Sequence, residues 1–319
     1  MPSYTLRQLE YFVAVADAGS ISAAAATLHV TPTAVASALT ELERLLRTQL
    51  MVRRKAHGAA LTPTGTFLYQ RASALLGEAE ELELATASAG SELAGPLALD
   101  CYSTLAPTIV PPLMDWMARR HPKVELTVTT GSQSELPHRL LAGSADLAIG
   151  YGIALPKGLD SVQLYQAPAY VLLPDGHPCG ADASVSLADL AEEPMVFLDL
   201  PPAGEHTLGL YAGAGVTPSI AMRTSDFELT RSLVARAFGY SVLIQRPASA
   251  ASYEGLPVLV REITPEVPAT AVLMMWPQEV RLTDRARALV EFAERHADQL
   301  DPRTRDGVLG PPLCTPQVG

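Results

Sequence analysis

Cysteine is scarce in this chain of 319 residues: Cys101, Cys179 and Cys314 are its three, and they lie far apart. An odd count at that spacing draws neither a disulfide framework nor a paired-cysteine metal site. Long apolar runs are missing too, and none reaches the ~18 residues that a bilayer span needs. The opening MPSYTLRQLEYF lacks the basic-then-apolar layout of a secretory signal, so the expected location is the cytoplasm. Signatures of common catalysts are absent: there is no GxSxG, no GxGxxG phosphate cradle and no zinc triad. GAGV at Gly213 is too little for a dinucleotide site, and no enzymatic activity is expected. Nor is a cofactor. His138 and His206 have no second histidine or carboxylate at ligand spacing, so no metal is expected either.

Positive charge is in deficit overall, with a net charge of −11, which argues against indiscriminate nucleic-acid binding. The deficit is uneven. Up to residue 75 basic residues outnumber acidic ones by 7 to 4, whereas residues 95–319 carry 16 against 25. Affinity for phosphate is therefore expected near the N-terminus.

That end reads as three short helices. Thr5 followed by Gln8 fits a capping box, and Leu9, Phe12, Val13 and Ala16 form an apolar stripe that stops near Gly19. Ser20 or Ser22 caps a second helix whose AAAATL is nearly bare of bulk, which suits a packing support. Thr31 then caps a third helix with Pro32 at its first position. Val35, Leu39, Leu42 and Leu46 give that helix an inward face, while Thr33, Ala36, Ser37, Thr40 and Arg44 lie opposite. Small residues let a helix approach the floor of a major groove, and a helix-turn-helix places such a face on DNA. Spacing alone leaves a helical hairpin in an ordinary bundle open. The following LMVRRKAHGAALTPTG reads as a hairpin wing with Arg53, Arg54 and Lys55 at its tip, suited to backbone phosphates.

From Leu6 to Gly65 the chain resembles the winged helix-turn-helix of LysR-type transcriptional regulators, through LRQLEYFVAVADAGSISAAAATLHVTPTAVASALTELERLL, the basic strand through Arg53, and LTPTG. The resemblance implies a DNA-binding regulator acting on double-stranded DNA through Thr31, Pro32, Thr33, Ala36, Ser37, Thr40, Arg53, Arg54 and Lys55. The family usually places Gln or another long polar residue where this chain has Pro32. It has Ser followed by Arg, Lys or Gln at Ala36 and Ser37, and commonly Gly at Arg47. Fewer long hydrogen-bonding arms imply more reliance on phosphate contacts and groove shape.

Thr62-Pro63 opens a helix without a breaker to about Ser88, roughly 40 Å at ~1.5 Å per residue. Leu68, Ala72, Leu75, Ala79 and Leu82 give it a short heptad seam. In this position it resembles the family's dimerisation helix, which implies a homodimer or homotetramer. SAGSELAGP then breaks the helix and marks a hinge.

From Leu97 strands and helices alternate: LALDCYS, APTIVPPLMDWMARRH with Pro111 and Pro112 assigned to its first turn, KVELTVTTG, SELPHRLLAGS and DLAIGYG. A second run spans roughly Leu164 to Ile263, and a strand ATAVLMMWP and a helix TDRARALVEFAERHADQL close the pattern. Alternation implies mostly parallel sheets in two α/β lobes with a cleft between them. This half is similar to the LysR-type effector domain, whose fold is like that of periplasmic solute-binding proteins, through DLAIGYG, LPDGHP and ARAFGYSVLIQ. The resemblance implies a small-molecule effector in the interlobe cleft, in the family often a carboxylate metabolite. Strand ends facing such a cleft supply Tyr102, Ser103 and Thr104, then Thr130, Gly131 and Ser132, and from the second lobe Phe197, Leu198 and Asp199 with His206 in the next loop. Cys101 is expected to be a core thiol, and Trp116 and Trp276 core residues.

The expected fold class is α/β, with an N-terminal winged helix-turn-helix over 1–62, a linker helix over 63–92 and an effector domain over 93–300. Within it lobe I takes 93–164 and 268–300, lobe II takes 165–267, and a flexible tail covers 301–319. The expected function is an effector-responsive DNA-binding regulator. The alternative is a small-molecule receptor without sequence-specific DNA binding, which leaves the N-terminal unit unexplained.

Overall fold

In the computed structural model the structure describes residues 3–54, 58–87 and 93–304. Three helices open it: α1 (Leu6–Ala18), α2 (Ile21–Thr27) and α3 (Pro32–Leu46). Their starts follow from capping chemistry. Thr5 and Gln8 close a reciprocal capping box on α1, Ser20 Oγ accepts from the Ala23 amide at 3.1 Å, and Thr31 Oγ1 accepts from the Ala34 amide at 3.2 Å. Strands β1 (Met51–Arg54) and β2 (Gly58–Leu61) pair antiparallel, Arg54 opposite Gly58, and form the wing. Gly58 sits at φ +76, and a Cβ there would lie 2.2 Å from the Gly19 carbonyl oxygen. Only glycine lets the wing lie this close to the end of α1, where the Ala59 amide donates to that oxygen at 2.7 Å.

Thr62 starts α4 (Pro63–Ala87), its hydroxyl accepting from the Gly65 amide at 2.9 Å. Tyr69 and Ala72 bury in the same apolar cluster as Leu9, Phe12, Val15, Val35, Leu39 and Leu42, so the first half of α4 belongs to the N-terminal core. The heptad seam therefore divides. Leu68 and Ala72 face that core, whereas Leu75 and Leu82 stay 40% and 68% exposed, as does Phe67 at 59%.

The remaining elements are β3 (Ala94–Tyr102), α5 (Ala106–Arg120), β4 (Lys123–Gly131), α6 (Glu135–Leu141), β5 (Leu147–Tyr151), β6 (Leu159–Ala167) and β7 (Tyr170–Pro174). There follow β8 (Ser184–Val185), β9 (Pro194–Leu198), α7 (Ala203–Gly213), β10 (Ser219–Thr224), α8 (Phe227–Ala235) and β11 (Ser241–Leu243). The last are β12 (Val258–Ile263), β13 (Thr270–Pro277), α9 (Asp284–Arg295) and α10 (Ala297–Leu300). Lobe I is a five-stranded sheet in the order β4-β3-β5-β13-β6, in which β4, β3 and β5 run parallel and β13 runs against β5 and β6. Lobe II holds β11-β7-β12-β8 and the parallel pair β10-β9.

Four expectations change. Lobe II is not mostly parallel: β7 is antiparallel to both β11 and β12, while β12 with β8 and β10 with β9 are parallel. Pro111 and Pro112 lie inside α5 rather than in its first turn, a position that removes two backbone donors from its ladder. β6 runs to Ala167, with Tyr165 opposite Val272 and Ala167 opposite Thr270, so residues 165–167 belong to lobe I. The segment 301–304 is held: Asp301 is buried, and Arg303 pairs with it at 2.7 Å and donates to the Gln166 carbonyl at 2.5 Å. The rest of the expected flexible tail lies outside the described residues.

A second apolar cluster runs from lobe I through the crossover strands into one face of lobe II, and a third covers the other face of β7 through Tyr170 and Leu172. Trp116 stacks on Phe292 at 4.2 Å between ring centres against this core, where Trp276 also packs. Among the described residues no single helix is long and apolar enough to cross a membrane, and no group of three or more metal-ligating side chains converges.

Candidate nucleic-acid interface and interlobe cleft

The third helix buries Val35, Leu39 and Leu42 and turns its other side outward. Thr31, Pro32, Thr33, Ser37 and Thr40 are exposed on that side, with Ala36 half-buried among them. Two hydroxyls are engaged locally: Thr31 caps the helix, and Thr40 Oγ1 donates to the Ala36 carbonyl at 2.9 Å. Arg44 is paired with Glu41 at 2.6 Å, which raises the guanidinium pKa and lowers that of the carboxylate. The outward face thus offers small side chains and little fixed charge. The wing strand carries Arg53 and Arg54, whose side chains lie outside what is described, as does Lys55.

A cavity of about 840 Å³ separates this unit from lobe I. α1 and α4 form one wall through Val13 and Phe67, and Leu140 and Leu282 lie on the other. Arg71 forms an ion pair with Glu279 across it, and Tyr69 donates to Asp17 within the N-terminal unit. Burial, first, and the Asp17 carboxylate push the Tyr69 phenol up to about 12.

The effector candidates separate into groups. Tyr102 is fully buried, and its hydroxyl donates across the cleft to the Pro201 carbonyl at 3.4 Å. Ser103 is exposed and its amide is taken by the Gly131 carbonyl at 3.0 Å, while Thr104 is half-buried beside it. Thr130 and Gly131 line a separate depression of about 330 Å³ next to the Asp100–Arg139 ion pair of 2.5 Å. Ser132 spends both its amide and its hydroxyl on Glu135, each at 2.8 Å. Phe197 and Leu198, expected at the cleft, are core residues instead, because β9 is covered on both faces. Asp199 is exposed and pairs with Arg223 at 3.0 Å. His206 lies in α7 rather than in a loop; its Nε2 is buried without a partner, and burial lowers its pKa.

Sequence reasoning missed a group of buried tyrosines near the carboxyl end of the lobe I sheet. Tyr151 ends β5 and packs edge-on against Tyr102 with ring centres 5.7 Å apart. The Gln133 side chain fixes it, donating to the Tyr151 carbonyl at 2.7 Å and accepting from its amide at 3.0 Å. Tyr165 and Tyr170 complete the group, and Tyr170 donates to the Gln245 carbonyl at 2.8 Å. Gln245 in turn donates across the cleft to Thr108 at 2.7 Å. Part of the signal was available, since GYG ends a strand already recognised in the sequence, whereas the strand that carries Tyr165 was not. Burial holds every one of these phenols above its ordinary value, Tyr102 at about 12. The Cys101 thiol, also fully buried, is pushed up by burial and by Asp100.

A winged helix-turn-helix joined by a long helix to a two-lobed α/β domain defines a ligand-responsive transcription regulator. Residues 6–66 match the bacterial regulatory helix-turn-helix model of the lysR family, and residues 90–298 match its substrate binding domain. The chain belongs to the LysR family of transcriptional regulators. It is similar to HinK, a LysR family regulator from Pseudomonas aeruginosa, at 32% identity over 92% of this chain and 99% of that one, with a TM-score of 0.62. The C-terminal domain of a probable LysR family regulator from Rhodococcus sp. RHA1 is 38% identical over 63% of this chain and 99% of its own, with a TM-score of 0.61. A probable hydrogen peroxide-inducible genes activator of Mycobacterium leprae is 30% identical over 79% of this chain and 80% of its own length.

Proposed function

We propose that this regulator reads DNA with the exposed face of α3, anchors on phosphates through the wing, and takes its signal from a small molecule in the interlobe cleft. The observation that carries the reading is the outward face of α3, small and nearly uncharged while its other face is locked into a separate core. With Pro32, Ala36 and Ser37 on that face, discrimination rests on close approach and groove shape more than on long side-chain arms. Exposed Phe67, Leu75 and Leu82 on α4 suit pairing with a second copy, and two copies present two reading helices to a dyad-symmetric site. The protein acts in the cytoplasm and catalyses no reaction of its own.

Peroxide is not the signal in this reading. A peroxide-reactive thiol needs a low pKa and access. Cys101 is buried with a raised pKa, and Cys179 is raised by partial burial and by Glu193, Asp189 and Asp182. Cys314 lies outside the described residues.

The test is footprinting of the purified protein on the DNA upstream of its own gene over a salt series. A protected dyad-symmetric site with steep salt dependence is expected. Equal affinity for random duplex at every salt concentration would refute sequence-specific reading.

A further inference from the structure

The N-terminal unit meets lobe I through α4. The turn after α6 lies against that helix, where a Cβ on Gly143 would stand 3.6 Å from both Gln70 Cα and Ser73 Cβ. Farther along, Arg71 pairs with Glu279 in the loop after β13 and donates to its carbonyl at 3.3 Å. Both contacts border the cavity of about 840 Å³. Pockets for small molecules have this size, favour the junctions between domains and are walled mostly by apolar side chains. Val13, Phe67 and Leu76 line the cavity from the N-terminal unit, and Leu140, Leu282 and Ala286 from lobe I. Phe67 stays 59% exposed although Arg71 lies over its ring, 5.7 Å from the centroid. An aromatic ring left uncovered in a concave wall gains from an apolar occupant. This place is separate from the interlobe cleft. It lies at the amino edge of the lobe I sheet, where β3 and β5 begin and β13 ends, and the cleft lies at the carboxyl edge.

Charge decides which class of molecule fits. The lining carries four carboxylates, Glu10, Asp17, Asp146 and Glu279, against three guanidiniums, Arg71, Arg281 and Arg285, so its field does not favour an anion. Arg71 and Glu279 neutralise each other, and Asp17 accepts from Tyr69. Asp146 accepts from the Ala98 amide at 2.7 Å, and Arg285 donates to the Pro96 carbonyl at 2.5 Å. Glu10 and Arg281, on opposite walls, are exposed and stay solvated, so neither offers a desolvated counter-charge. Burial holds the Asp146 carboxyl above its ordinary value even though the Ala98 amide and Arg285 favour the charged form. The lobe I wall is thus a costly place for charge, and a neutral occupant avoids that cost.

We infer that this cavity binds an uncharged, largely apolar ring compound that touches the N-terminal unit and lobe I together. Such a ligand binds only while the two walls are apposed. Its occupancy and the placement of the DNA-binding unit on lobe I therefore form one equilibrium, independent of whatever fills the interlobe cleft.

The full-length protein is titrated with N-phenyl-1-naphthylamine and with 8-anilino-1-naphthalenesulfonate, fluorophores that share their rings and differ by one sulfonate. Saturable binding of the uncharged probe is expected, tighter than that of the sulfonate by roughly tenfold or more. Ala74→Trp on α4 and Val280→Trp on lobe I fill the cavity from opposite walls, and each is expected to weaken that binding by roughly tenfold or more. A folding defect in one leaves the other to decide. Thr104→Trp, which fills the interlobe cleft instead, is expected to leave probe binding unchanged. Binding that survives both cavity-filling variants overturns the inference. Loss in Thr104→Trp alone also overturns it, by assigning the probe to the interlobe cleft, and leaves the cleft reading intact. Equal or tighter sulfonate binding, lost in the cavity-filling variants, overturns the ligand class. Probe fluorescence that appears only on dilution shows a second copy in the cavity and refutes the ligand site, as does the absence of saturable binding.

Discussion

Leu39→Ala tests whether the reading helix is held by a core of its own. Leu39 is fully buried in α3, within a cluster confined to the N-terminal unit and the first half of α4. Truncating a buried leucine to alanine costs roughly 2–5 kcal/mol, part in lost transfer energy and part in the cavity left behind. A value of about 3 kcal/mol, in a unit of this size, lowers its melting temperature by roughly 12–24 °C. The effector domain has separate clusters and should melt where it did before. Calorimetry should therefore show one transition moving and one staying. Fluorescence anisotropy of a labelled operator duplex should show binding nearly intact when cold and lost on warming, at the temperature of the shifted transition. If both transitions move together, or the first moves by less than about 4 °C, the N-terminal core is not independent and the reasoning fails.

Three further predictions concern the interface and the cleft. Ser37→Glu, on the exposed face of α3, should abolish operator binding while leaving the melting temperature unchanged; measurable binding would show that another surface reads the DNA. Arg53→Ala should weaken binding to all duplexes alike and reduce the salt slope by about one unit, and an unchanged slope would place Arg53 away from phosphate. Burial lowers the His206 pKa, so between that value and the ~6.5 of the unfolded chain the unfolded state binds more protons. The stability from neutral His206 is present above pH ~6.5 and is lost as pH falls through the folded value. Denaturant titrations from pH 7.5 to 5 should show this loss in the parent and a flatter profile in His206→Gln. Parallel profiles would mean that His206 titrates as it does in the unfolded chain.

Local features were legible in the sequence because their causes are local. The caps at Thr5, Ser20, Thr31 and Thr62 each hold a hydrogen bond to an amide three residues on, and the sequence spacing contains that whole interaction. The inward face of α3 follows from helical periodicity, and the wing from a basic strand that turns at Gly58. Dense matching of these features to one family carried the reading through to function. Interactions between distant segments were not legible. Strand ends were visible, but not which side chain at each end would face the cleft. Phe197 and Leu198 were taken for cleft residues because they end a strand, yet apolar clusters cover the strand on both faces. Tyr151, Tyr165 and Gln133 looked like ordinary strand and loop residues until the sheet order aligned their ends. Sequence by itself determined the elements, their caps and the family. Only the tertiary structure decided which strand-end side chains are buried and which carbonyls the Tyr102 and Tyr170 hydroxyls reach, because those partners lie tens of residues away.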